Sequence, residues 1–232
     1  MRRFTSLFIV LMIILTGCRS SPFGQHVQID WVDFIKWNGK TYDGIYNGAL
    51  ADAKNIGEKL GEVKFKVADH VTDPEYKLKN GDAAFHDKGT GIYAIKEEPH
   101  LIAVKSARAI NGYQIYFSRD DLKNQWQFQD MPMEKVSQIE IFLAYTDTPK
   151  PIAVITQPKV SQFLQLLNNS QAAPNFEPNT ENGDPVYNHM VFYTGDAIAY
   201  MYDINFDGHT YFWHPDVTAI LSSEMKDFIP AN

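Results

Sequence analysis

Residues 26–40 have the sequence HVQIDWVDFIKWNGK, which gives the clearest structural signal in the first half of the chain. Its apolar residues recur with a period of two, interrupted only by Asp33: Val27, Ile29, Trp31, Ile35 and Trp37. Such alternation is typical of a half-buried β-strand. The following Asn38-Gly39 pair favours a tight turn, because both residues tolerate the positive φ angles that the turn requires. We therefore predict a β-hairpin whose return strand begins at Lys40.

The rest of the first half continues as short strands and turns. Residues 101–110 and 113–118 flank a second Asn-Gly pair, Asn111-Gly112, which predicts a further hairpin. Two glycines interrupt residues 49–61, so we predict a loop there with at most a short helix. Residues 26–120 are thus expected to form a β-rich, all-β-like domain.

The second half has a mixed pattern. A polar stretch near residues 119–134 separates it from the first half. Apolar residues recur once with helical spacing: Val160, Phe163, Leu164 and Leu167. Ser222 or Ser223 is suited to begin a last short helix. Together with the strands around them, these signals predict an α+β domain over residues 135–232, an antiparallel sheet with one or two helices.

The amino terminus has the three-part layout of an export signal. Arg2 and Arg3 precede an apolar run over residues 4–15, and small residues follow. The run is much shorter than the roughly 20 residues that a helix needs to cross a bilayer. We predict a signal peptide over residues 1–17.

The residues Leu15-Thr16-Gly17-Cys18 resemble the lipobox of bacterial lipoproteins. The resemblance implies cleavage before Cys18 and attachment of lipid to its thiol, with acyl chains such as palmitate. It also implies a place on the extracytoplasmic face of the cell membrane, with residues 18–25 as a tether, because two acyl chains hold a protein stably. The alternative is an ordinary signal peptide followed by a chance cysteine.

A second resemblance concerns the body of the chain. The segments that carry it are Leu60–Val67, Asn80–Phe85, Gly89-Thr90, Ile92–Lys96 and Ile102–Val104. They resemble a segment of uncharacterised Bacillus-type lipoproteins, over roughly residues 29–117. This family implies a recurrent extracytoplasmic domain and no particular activity.

Charge and cysteine content exclude several classes of function. Without residues 1–17, the chain keeps 19 basic residues against 28 acidic ones, a net charge of −9. This charge disfavours nucleic acids and anionic headgroups as partners. Because Cys18 is the single cysteine, the body has no disulfide, no cysteine metal site and no thiol nucleophile.

Residues 203–208 are a candidate for calcium binding. Asp203, Asn205 and Asp207 precede Gly208 in the spacing of the first half of an EF-hand loop. The twelfth position, however, is His214 instead of Glu. The alternative is an Asp-Gly hairpin turn that joins residues 186–206 to residues 209–214, with Asp203 and Asn205 on its solvent face.

A second metal candidate consists of His209, His214 and Asp216, since imidazole and carboxylate groups bind zinc. Strand residues five positions apart point to opposite faces, so convergence would require a bulge. The alternative is exposed or hydrogen-bonded histidine. No metal or cofactor is therefore predicted.

Sequence signatures of catalysis are missing. The chain contains no Gly-x-Ser-x-Gly, His-Glu-x-x-His or Gly-x-x-x-x-Gly-Lys motif. We therefore expect a non-catalytic binding, sensing or accessory module, with an envelope protein as a possible partner. The alternatives are an envelope hydrolase and a wall or glycan binder that uses exposed aromatic residues: Trp37, Trp126, Tyr187, Tyr211 and Trp213. For these aromatics, the competing interpretation is packing in the core.

Overall fold

The computed structural model describes residues 29–121, 126–181 and 183–230. The predicted signal peptide, Cys18 and the tether lie outside these residues. The strands are β1 (Phe34–Trp37), β2 (Lys40–Gly44), β3 (Gly48–Leu50), β4 (Ile56–Glu62), β5 (Phe65–Lys66), β6 (Asp82–Ala83), β7 (Gly91–Ile95), β8 (Glu98–Lys105), β9 (Tyr113–Ser118), β10 (Gln138–Leu143), β11 (Pro151–Thr156), β12 (Gln171–Ala172), β13 (Val186–Tyr193), β14 (Ile198–Phe206), β15 (Tyr211–Trp213) and β16 (Ala219–Ile220). With the single described α-helix, α1 (Lys159–Asn168), they form a β-rich α+β fold, as predicted.

The first sheet curls back towards its own edge. Its eight strands lie in the order β4-β7-β8-β9-β2-β1-β6-β5, and the chain passes from β4 to β5 through Val63 and Lys64 alone. The two edge strands of the sheet are therefore separated by only two residues in the sequence. Inside the curl, Trp37 lies so close to Gly61 that a Cβ atom there would overlap its ring. The absence of a side chain at Gly61 thus allows the Trp37 ring to pack inside the first sheet.

Both Asn-Gly hairpins are confirmed. Asn38 and Gly39 have φ angles of +46° and +80° and join β1 to β2. Asn111 has a φ of +56° and ends the longer loop of residues 106–112 between β8 and β9.

The loop predicted over residues 49–61 is wrong. This segment contains most of β3, a 3-10 helix at Ala53–Asn55 and nearly all of β4. Its glycines permit close packing and do not break the strand: a Cβ at Gly57 would lie 3.3 Å from Ala94 on β7.

The second sheet has the order β11-β10-β13-β14-β15-β16-β12, with β3 also paired to β14. Helix α1 packs on one face through the four residues that helical spacing selected, and all of them are buried. Residues 186–206 are two strands and not one, because the chain reverses between β13 and β14 near Gly195, whose φ is +95°. The predicted last helix is a 3-10 helix at Ser223–Asp227, capped by Ser222.

The two predicted domains share a sheet and a core cluster. Gly48, Ala49 and Leu50 of β3 pair with Tyr200, Ala199 and Ile198 of β14. Between the predicted domains, Trp126 packs against the cluster shared by the two halves, and Phe128 against the core under α1. No helix within the described part of the chain is both long and apolar enough to cross a membrane.

Candidate functional site

The candidate site lies on the face of the second sheet that α1 leaves uncovered. Side chains alternate along β13 and β14, and Met190, Phe192 and Ile204 point towards α1. The opposite face carries two cross-strand pairs, Tyr187 with Asn205 and His189 with Asp203. Ring side chains of β13 therefore lie beside polar side chains of β14 on a surface that faces the first sheet.

Two adjoining cavities lie on this surface. The first, of about 430 Å³, is lined by both sheets and by the loops of residues 106–112 and 144–150. The second, of about 350 Å³, lies beside Tyr187 and the polar residues of β14. Because Tyr46, Tyr145 and Met201 line both cavities, they form one continuous depression, termed here the tyrosine cleft.

Three tyrosines dominate the cleft. Tyr46, in the turn after β2, is 66% exposed, and Tyr145, in the turn after β10, is 87% exposed. The Tyr145 ring meets the ring of Tyr187 edge to face at 5.9 Å. Tyr145 also has a φ of +58°, a conformation that costs a residue with a Cβ about 1–2 kcal/mol. A strained backbone thus presents an aromatic ring to solvent.

The polar groups of the cleft are concentrated at its second cavity. Asp203 Oδ1 lies 2.6 Å from Nδ1 of His189. Asn205 is 3% exposed, and its side-chain oxygen has no hydrogen-bond partner among the described residues. His214 is exposed and lines the same cavity. This set can donate to and accept from the hydroxyl or amide groups of a ligand.

An ion pair closes the rim of the first cavity. Arg108 Nε donates to Asp147 Oδ1 at 3.0 Å and joins the two loops above the cleft. Both side chains are largely exposed, so the pair adds at most about 1 kcal/mol of stability. Its main consequence is that the charges at the rim cancel.

A buried polar network lies behind the wall of the first cavity. Asp33 accepts hydrogen bonds from Tyr116 Oη at 3.1 Å and from Gln114 Nε2 at 2.6 Å. His86 Nε2 lies 2.5 Å from the same tyrosine oxygen. Because the Tyr116 proton points to Asp33, His86 must donate, which selects the Nε2–H tautomer. Gln114 also lines the first cavity and connects this network to the cleft.

Burial sets the protonation of the network. It raises the pKa of Asp33 and lowers the pKa of His86, in each case by penalising the charged form. Burial, together with the nearby Asp33, also raises the pKa of the Tyr116 hydroxyl. His86 and Tyr116 are therefore neutral near pH 7, and the network is a structural support of the cleft wall.

The structure does not bring the calcium candidates together. Asp203 contacts His189, Asn205 is buried on the cleft face, and Asp207 accepts from the backbone N–H groups of Asn179, His209 and Thr210. Burial alone would raise the pKa of Asp207, but these three donors outweigh it and hold the pKa below its usual value. Residues 207–208 form a hairpin turn, the alternative to a calcium loop.

The zinc candidates are also apart. His209, His214 and Asp216 are all exposed, and no hydrogen bond or ion pair joins them in the described structure. Across residues 29–121, 126–181 and 183–230, no group of three or more His, Cys, Asp or Glu side chains could hold a metal ion.

The aromatic candidates divide between core and cleft. Tyr211 and Trp213 are 8% and 1% exposed and belong to the core of the second sheet, so core packing is correct for them. Trp37 and Trp126 are partly buried against the core clusters of the first half. Among the aromatics named from the sequence, only Tyr187 lines the cleft.

Tyr46, Tyr145 and His189 were not predicted as site residues. Each stands alone in its segment and forms no motif with its neighbours. One signal was present: a bulky aromatic residue in each of two polar turns, Tyr46-Asn47-Gly48 and Tyr145-Thr146-Asp147, where polar residues are usual.

Comparison with known proteins gives no assignment. No family model matches the chain. No curated protein and no solved structure is significantly similar to it.

Proposed function

We propose that the chain is a lipid-anchored, extracytoplasmic binding module of the cell membrane whose ligand occupies the tyrosine cleft. The observation that carries this proposal is the cleft itself, in which Tyr46 and Tyr145 are largely exposed beside the buried amide of Asn205 and the exposed Asp203. Both cavities fall in the range of roughly 300–1,000 Å³ that is typical of small-molecule sites.

Binding explains why the tyrosines stay exposed. Covering a large aromatic ring releases about 25 cal/mol for each Å² of apolar surface removed from water. Two such rings are exposed here, one of them on a strained backbone. A ligand that covers them would therefore gain this free energy on binding. The anchor and the tether would place the cleft at the membrane surface, where an envelope molecule can reach it.

The anchor is tested by changing Cys18. We expect the wild-type chain in the membrane fraction of its host, and a Cys18→Ala variant of the full chain in soluble fractions or still attached through an uncleaved signal. Gel mobility separates the two variant forms. Wild-type protein without lipid mass on Cys18, measured by mass spectrometry, would refute the anchor.

The cleft is tested by NMR on the chain from Arg19 to Asn232, which contains every described residue, with ¹³C-labelled tyrosine rings. The probes are hexasaccharides, tripeptides and lysophosphatidylcholine, added separately. We expect at least one class to shift Tyr46, Tyr145 and Tyr187, while buried Tyr211 serves as an internal control. Equal or absent shifts for all probes would contradict the proposed site.

A hydrolase is the second candidate, because His189 and Asp203 lie 2.6 Å apart, the arrangement that a general base and its orienting carboxylate would need. If the protein turns over any of the probes, a His189→Gln variant should abolish turnover and retain binding. Turnover that survives this change would exclude the dyad as the catalytic group.

A further inference from the structure

We infer that the ligand of the tyrosine cleft is a neutral oligosaccharide whose pyranose rings pack on Tyr46, Tyr145 and Tyr187. This inference rests on the proposed function and names the chemical class of its ligand. Three independent features of the cleft support it: the aromatic surfaces, the polar groups beside them and the absence of net charge at the rim.

The aromatic surfaces suit the flat sides of sugars. A pyranose ring with equatorial hydroxyls exposes a patch of axial C–H groups on each face, and these carry a small positive charge. The face of an aromatic ring is negative, so the two surfaces attract each other and exclude water. Tyr145 and Tyr187, which meet edge to face, present two differently oriented surfaces at one point of the cleft.

The polar groups suit the rim of a sugar ring. Each sugar hydroxyl both donates and accepts, and it therefore needs partners of both kinds. The second cavity offers Asp203 as an acceptor, His214 as an exposed imidazole, and Asn205 with an unpartnered oxygen. A buried oxygen without a partner destabilises the fold, and a hydroxyl or acetamido N–H of the ligand would supply the missing donor.

The charge of the cleft disfavours anionic ligands. Arg108 is the one basic Lys or Arg side chain among the residues that line the two cavities, and Asp147 already pairs with it. No free guanidinium or ammonium group of the described lining is thus left for a phosphate or carboxylate. Asp203 at the second cavity would repel such a group further.

The size of the cleft suits more than one ring. Its two cavities are about 430 and 350 Å³ and join through Tyr46, Tyr145 and Met201. Neighbouring sugar units can therefore occupy both cavities at once. A glycan chain that enters one cavity would continue into the other across the Tyr145 ring.

The test is isothermal titration calorimetry on the chain from Arg19 to Asn232. Chitohexaose and cellohexaose are the neutral ligands, and they separate N-acetylated from plain β-linked sugars. Oligogalacturonate of the same length is the anionic control. We expect at least one neutral hexasaccharide to bind and the oligogalacturonate not to bind.

Variants connect the binding to the cleft. Tyr145→Ala should weaken binding about tenfold, or about 1.4 kcal/mol, because the sugar loses the ring on which it packs. Tyr145→Phe keeps the ring and should restore most of the affinity. Phe85→Ala removes an aromatic side chain that is 49% exposed outside the cleft, and it should bind like wild type.

Failure of this inference and failure of the proposed function give different results. If neither neutral hexasaccharide binds at millimolar concentration while tripeptides or lysophosphatidylcholine shift the cleft tyrosines, the glycan inference falls and the binding module stands. Binding of oligogalacturonate in preference to the neutral sugars would overturn the inference as well. If no probe of any class reaches the cleft, both fall.

Discussion

At the residue scale, Tyr145 combines a strained backbone with an exposed ring. Its φ of +58° is readily adopted by Gly but is unfavourable in energy for residues with a Cβ, and its ring is largely exposed. We expect Tyr145→Gly to be about 1 kcal/mol more stable than Tyr145→Ala, because Gly relieves this strain. Urea unfolding of both variants measures the difference. A Gly variant less stable than the Ala variant would show that the conformation is not strained.

His86 predicts a dependence of stability on pH. Burial lowers its pKa from the usual 6.5. Below pH 6.5 the unfolded chain therefore binds a proton more readily than the native chain does. The free energy of unfolding should therefore fall as pH decreases below 6.5 and through the lower, native pKa.

Charged groups around His86 also affect the pH dependence, so the control variant must retain them. Asp33 and Asp87 raise the pKa of the imidazole and Lys66 lowers it, and the raised pKa of Asp33 gives a slope of opposite sign. A His86→Gln variant keeps these groups and loses the imidazole. The difference between wild-type and variant urea unfolding free energies, measured from pH 7 to pH 5, should shrink with acidity. A constant difference would mean that His86 titrates normally.

Only part of the site could be predicted at this scale. Tyr187 was named as one of the aromatic residues that a wall or glycan binder could expose. Tyr46 and Tyr145 come from turns of different sheets, and long-range contacts such as the pairing of β3 with β14 bring those sheets together. No local pattern encodes that contact.

At the scale of elements, Asn111 joins the β8–β9 loop to β3. Its side-chain nitrogen donates to the carbonyl oxygens of Leu50 and Ala51 at 2.8 and 3.1 Å. Asn111→Gly keeps the positive φ and removes both bonds, so we expect a loss of about 1 kcal/mol in the free energy of unfolding. Asn38→Gly, in the exposed β1–β2 turn, is the matched control and should be nearly neutral. Equal effects would mean that Asn111 does not stabilise the contact between this loop and β3.

Leu50 tests the packing of β3. It is fully buried in the cluster that also contains Ile45, Ile115 and Ile198, so Leu50→Ala should cost about 2–5 kcal/mol. Leu60→Ala, in β4 at 38% exposure, should cost roughly 1 kcal/mol or less. Chemical unfolding of both variants gives the comparison. Similar costs would show that β3 contributes little to the core.

Elements with local signals were predictable. The hairpins at Asn38-Gly39 and Asp207-Gly208 and helix α1 follow from turn residues and helical spacing. Strands β3 and β4 were missed because their glycines were interpreted as breaks, whereas Gly61 is required by the Trp37 ring from another strand. A contact over that sequence distance cannot be inferred from the segment itself.

At the scale of the whole molecule, the shared cluster and the β3–β14 pairing predict one cooperative unit. Ala51 N–H also donates to the Ala197 carbonyl at 2.9 Å, which adds a backbone link between the halves. Calorimetry of the chain from Arg19 should show a single transition whose calorimetric and van't Hoff enthalpies agree. Two resolved transitions would mean that residues 26–120 and 135–232 unfold as separate domains.

We propose that the anchored protein binds a ligand in the tyrosine cleft in the living cell. The most direct measurement replaces Tyr145 with the photo-crosslinker p-benzoylphenylalanine in the full chain, with the same replacement at Phe85 as the control. After illumination of cells, mass spectrometry should find an added mass, of a sugar or another envelope molecule, at position 145 and not at position 85. Equal labelling at both positions, or none at position 145, would contradict the claim.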